Sequence, residues 1–124
     1  SKGWYIDLKT STSWIGEKSL ARTTIFAGVL YVTTYTPPQA GASAVACAAP
    51  AEGTATEYAL DLLSGAGKQS GGGRALVVGG GIPSELVIVI RPGGTSGLIG
   101  TSAGAGLPPL PRTLPRFKTY WKQE

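Results

Sequence analysis

Residues 17–36 read EKSLARTTIFAGVLYVTTYT, and this stretch decides the fold class. β-Branched and aromatic residues dominate on both sides of Ala27-Gly28, the composition of pleated strands. A two-residue break with Gly, which takes positive φ without a Cβ clash, predicts a hairpin at that point. In the second arm Val29, Tyr31, Thr33 and Tyr35 share one face, and Leu30, Val32 and Thr34 the other. Both faces are partly apolar, so this strand is expected to lie between two layers.

Strand grammar continues outward in both directions. GWYIDL (3–8) reads as a short strand and the Ser/Thr-rich residues 9–13 as a loop. TATEYALDLL (54–63) reads as a strand entering a turn at Ser64-Gly65, and ALVVGGG (75–81) as a strand ended by glycines. SELVIVIR (84–91) is the strongest strand signal, closed by Pro92-Gly93-Gly94, with GLIGTSAG (97–104) as its partner. FKTYWKQE (117–124) alternates as a last, half-exposed strand. Three loop excursions are expected: 37–53, rich in Pro, Ala and Gly; 65–74, read as flexible; and 103–116, whose prolines 108, 109, 111 and 115 force extended backbone. About eight short strands and no helix signal predict an all-β chain, with sandwich, barrel and propeller pieces all fitting.

Composition agrees and narrows the chemistry. Of 124 residues, 42% are hydrophobic and 15% charged, with 19 Gly and 9 Pro, which suits a folded, turn-rich chain. The net charge of +4 includes Arg116, Lys118 and Lys122 near the end. That cluster reads as a solvated strand, since nucleic-acid recognition needs a denser basic face with interleaved aromatics. No apolar run reaches the length of a membrane-spanning helix. The sequence has no His, no Met and no Asn; without an initiating Met, the chain is expected to be processed or to be a piece of a longer protein.

Without His the common Ser and Cys nucleophile arrangements lack their base. One Cys and seven scattered carboxylates give no metal-ligand spacing. GAGKQ (65–69) brushes against the phosphate loop. The pattern requires Gly six residues before its Lys and Ser/Thr directly after it, where Leu62 and Gln69 stand. Gly71–Gly73 and Gly79–Gly81 open no helix and read as turns. Catalytic, cofactor and metal residues are therefore expected to be none. Trp4, Tyr5, Tyr31, Tyr35 and Tyr58 fall at strand spacing and are expected in the core. Trp14 and Trp121 stand outside that pattern and are candidate partner contacts. The lone Cys47 has no internal partner, so it is expected to form a disulfide with another chain or with the rest of a longer one.

The order of these segments carries a resemblance. GWYIDL, GEKSLARTTIFAGVLYVTTYTP, a Cys-bearing loop and YALDLLSG follow one another. GGGIPSELVIVIRP, GLIGTS and a terminal TYWKQE complete the set. The whole resembles the C-terminal end of the PilC/PilY family of type IV pilus tip-associated adhesin and biogenesis proteins. The resemblance implies about two blades of a modified β-propeller spanning 1–124, completed by a partner or a longer parent chain. It implies a non-enzymatic module at the outer cell surface, with pilins or minor pilins as partners and roles in pilus assembly and adhesion. The family's calcium loop has no counterpart, because the only Asp residues are Asp7 and Asp61. A self-assembling filament subunit is the alternative. YALDLLSGAGK (58–68) is also similar to the blade-closing motif of quinoprotein propellers, which leaves a redox-propeller fragment as a third reading. In that motif Asp61 with Ser64-Gly65 fixes a turn.

Overall fold

The structure is a computed structural model that describes residues 3–39, 52–92, 94–102 and 104–106. These residues are all-β, with antiparallel sheets and no helix. The strands are β1 (Lys18–Ser19), β2 (Thr24–Phe26), β3 (Val29–Thr36), β4 (Thr54–Asp61), β5 (Ala75–Gly80), β6 (Val87–Arg91), β7 (Gly94–Thr101) and β8 (Gly104–Gly106). β2, β3, β4 and β5 pair in chain order, and β1 shares with β2 the outer edge of β3. β6, β7 and β8 form a second sheet, again in chain order.

The hairpin expected at Ala27-Gly28 is present, with Phe26 opposite Val29. Both turn residues take positive φ, 50° at Ala27 and 77° at Gly28. That is the turn whose twist matches paired strands, here with a Cβ at a position where L-residues are disfavoured. β3 and β4 then pair over their full lengths, Val29 with Asp61 through to Thr36 with Thr54.

Parity along this ladder sorts the side chains. Val29, Tyr31 and Thr33 on β3, and Ala55, Glu57 and Ala59 on β4, are buried on the face that meets the second sheet. There Val29, Tyr31 and Ala59 pack with Leu86 and Ile99, and Phe26, Val78 and Ile88 border the cluster. Each fully buried Val, Leu or Ile contributes about 1.5–3 kcal/mol. The two sheets are also stitched by hydroxyls: Thr24 Oγ1 donates to the Leu86 carbonyl (3.0 Å) and Thr33 Oγ1 to that of Ser84 (2.9 Å).

Several elements depart from the sequence reading. Residues 3–8 form no strand: Trp4, Ile6 and Leu8 are half-buried and Gly3, Tyr5 and Asp7 exposed. The alternation marks extended backbone, but no neighbour among the described residues offers it a ladder. Tyr5, expected in the core, is 86% exposed. The strand expected over 84–91 begins only at Val87. Ser84 and Leu86 lend their carbonyls to Thr33 and Thr24 instead, and Ser84 N–H donates to Gly100 O (2.9 Å). β7 starts at Gly94 and ends at Thr101, and Gly104–Gly106 adds β8, so the excursion expected from 103 opens with a strand. Residues 65–74 are not loose either. Gly67 bridges Leu60, Lys68 N–H donates to Ala59 O, and Gln69 N–H to Gly73 O (2.9 Å each). A Cβ on Gly67 would sit 2.4 Å from Gly73 O, so the turn closes only around glycine.

Candidate functional site

Among the described residues β1, β2, β6, β8 and the first half of β5 each pair on one side only, and β5 and β6 carry the most exposed apolar side chains of that set. β6 pairs only with β7, leaving Val87–Arg91 open along its outer edge. β5 is divided by an irregularity in its pairing with β4: Val77 faces Thr56 while Gly79 faces Ala55, so Val78 is the extra residue of a bulge. Beyond the bulge β5 meets the second sheet, where Ser102 N–H donates to Gly80 O (3.0 Å). Before it, Ala75–Val77 is exposed and paired on the β4 side alone. Neither open stretch carries a charge apart from Arg91. Val77 is 66% and Ile90 65% exposed. Uncharged edges of this kind offer a row of donors and acceptors to an added strand.

Trp14, singled out as a partner contact, is 71% exposed, with Lys9 Nζ 5.3 Å from its ring centroid. Trp121 and Cys47 lie outside the described residues. Trp4 is committed elsewhere. Its indole N–H donates to Leu62 O (3.0 Å), and its ring covers Gly65, where a Cβ would come within 2.6 Å.

Asp61 fixes the turn as its spacing suggested. Its Oδ1 accepts from the backbone N–H groups of Leu63 and Ser64 (3.1 Å each) and from Ser64 Oγ (3.0 Å). Ser64's donors first, then those of Leu63 and Lys68, hold the carboxyl down at about 2. Lys68 Nζ lies 3.4 Å from Asp61 Oδ2, so the lysine of the near phosphate-loop pattern serves this turn.

A feature the sequence reading did not isolate lies between the sheets. Glu57 is 0% exposed, and neither carboxyl oxygen meets a hydrogen-bond partner among the described residues. Tyr31, diagonal to it across the β3–β4 ladder, is buried with an equally unpartnered hydroxyl. Gln69 Nε2 approaches the Glu57 backbone carbonyl (3.4 Å) rather than its carboxyl. Burial pushes the Glu57 carboxyl up to about 7, offset in part by the Gln69 side-chain amide, whose N–H hydrogen bonding favours the anion. Burial and then the field of Glu57 push the Tyr31 phenol up to about 12. The available signal was parity, which places Glu57 between Ala55 and Ala59 on the inward face. On the opposite face Glu17 Oε1 accepts from Thr34 Oγ1 (2.6 Å) and Tyr58 OH (2.9 Å).

Among the described residues no three His, Cys, Asp or Glu side chains gather as a metal site. Scans of protein-family models, curated proteins and solved structures found no match to this chain.

Proposed function

We propose that the chain is a non-enzymatic structural and binding module of an extracellular β assembly, associated with the tip of a type IV pilus. In this reading it supplies about two blades of a propeller-like domain. The observation that carries it is the pairing order: a chain-order meander, β2 to β5, followed by β6 to β8 stacked against it. A propeller blade is a four-stranded sheet, and neighbouring blades cover each other's apolar faces. The segment order that resembles PilC/PilY proteins supports the pilus assignment. The open edges of β6 and of Ala75–Val77 are where a neighbouring blade, a parent chain or a minor pilin would add. Cys47 is proposed to bond covalently to such a partner.

The test is capture of the purified chain on minor-pilin complexes under non-reducing conditions. Binding that weakens when a Lys replaces Val89 on the β6 edge is the expected result. A stable 12.7 kDa monomer that unfolds cooperatively and ignores pilin complexes would overturn the reading. A second reading is favoured by the charge-free run Val87–Ile90: the chain adds to copies of itself, and light scattering of the isolated chain would then show growing oligomers.

A further inference from the structure

Glu57 has the least compensated position among the described side chains. Its face of β4 carries Ala55 and Ala59, both at zero exposure, and Ala59 belongs to the cluster formed with Leu86 and Ile99 of the other layer. A carboxylate buried without donors is far less stable than the neutral acid, by more than any ordinary packing contact returns. Between the sheets the neutral acid is favoured over the anion.

The described groups around it give the anion little compensation beyond the Gln69 side chain. From β3, Thr33 stands opposite but its hydroxyl is spent on Ser84 O, and Tyr31 faces it as a second weak acid. From the 62–74 connection comes the neutral Gln69, while Lys68 is held by Asp61. From β5 the ladder partner is Leu76. The second layer contributes Leu86 and Ile99 to the cluster beside it, while Glu85 and Arg74 are exposed. Among the described residues no cation contributes to the Glu57 field.

We propose that Glu57 is a proton-operated latch between the two sheets, holding them packed while its carboxyl is neutral and driving them apart when the proton leaves to solvent. The sign follows from linkage. The buried carboxyl, at about 7, binds its proton more tightly than an exposed one at 4.5. Opening is therefore disfavoured most below pH 4.5 and becomes easier as pH rises through 7. The opened form gains about a hundredfold in population over that interval. Parting the layers exposes Tyr31, Leu86 and Ile99 and leaves the β3–β4 ladder intact.

The test follows the full chain from pH 4.5 to 8.5 by carbon NMR of the glutamate carboxyls, with a soluble paramagnetic probe reporting on side-chain access. The expected result is a Glu57 midpoint well above the other glutamates. Leu86 and Ile99 methyl groups should become accessible as it titrates, while β3 and β4 amides stay protected. Glu57→Gln should hold those methyls inaccessible across the range. A Glu57 midpoint among the ordinary glutamates overturns the proposal even if the variant does not fold. Simultaneous loss of protection in both sheets, or methyl access that rises equally in Glu57→Gln, also overturns it.

Discussion

The two faces of the larger sheet each carry a glutamate and treat it in opposite ways. On one face Glu17 arrives from the segment before β1 and finds two hydroxyls, those of Thr34 and Tyr58, aimed at one oxygen. On the other, Glu57 is presented by β4 itself and, among the described residues, has only the Gln69 side chain near enough to favour its anion. Glu17 ties a crossing segment to strands far from it in sequence, because charge-assisted hydrogen bonds are among the stronger polar contacts. Glu57 is held more favourably as a neutral acid than as an anion. The same side chain thus serves as a fastener where donors are built for it and as a source of instability where they are not.

The sharpest way to break this comparison is to remove the carboxyl that lacks donors. Glu57→Leu keeps the volume and deletes the ionisable group, so at pH 8 it should stabilise the chain by about 2–3 kcal/mol. At pH 4.5, where the native acid is neutral, the gain should fall to near zero. Urea denaturation at the two pH values measures both, and equal effects at each would mean that Glu57 charge is not the issue. The converse change, Glu17→Ala, should destabilise by about 2 kcal/mol, since it takes the acceptor from the Tyr58 hydroxyl and leaves fully buried Thr34 only its 3.4 Å approach to Thr56 O. Thermal unfolding of the variant with and without Tyr58→Phe checks it: the two losses should be less than additive if they share one contact. The smallest effect is a control that touches neither glutamate. Ala27→Asn relieves the positive φ of the hairpin and should raise stability by about 1 kcal/mol, equally at every pH.

The larger sheet was readable from the sequence because its signals are local. Ala27-Gly28 between β-branched runs marked the hairpin, and Asp61-x-x-Ser64-Gly65 marked the turn, each within a few residues. What was hidden depends on distant partners. GWYIDL alternates as a strand would, yet whether extended backbone joins a ladder depends on an edge elsewhere. Ser84–Leu86 look like the start of a strong strand and are diverted by Thr24 and Thr33, more than fifty residues earlier. Glu57 looked ordinary within TATEYALD, because its isolation depends on which groups the second sheet brings and which it does not. Among the candidate contacts, Trp14 is exposed, while Cys47 and Trp121 fall outside the described residues.

The eight-pair ladder between β3 and β4 is joined by the long connection 37–53, where most hairpins use a few residues. Closing a loop of flexible chain loses entropy only logarithmically with its length, about 0.6 kcal/mol for each doubling. The strands that flank it are already held by their own register and, at Gly53, by a Cβ-free approach to Thr36 O. Lengthening or shortening this connection therefore changes stability little, so its sequence can vary while the register of β3 on β4 is kept.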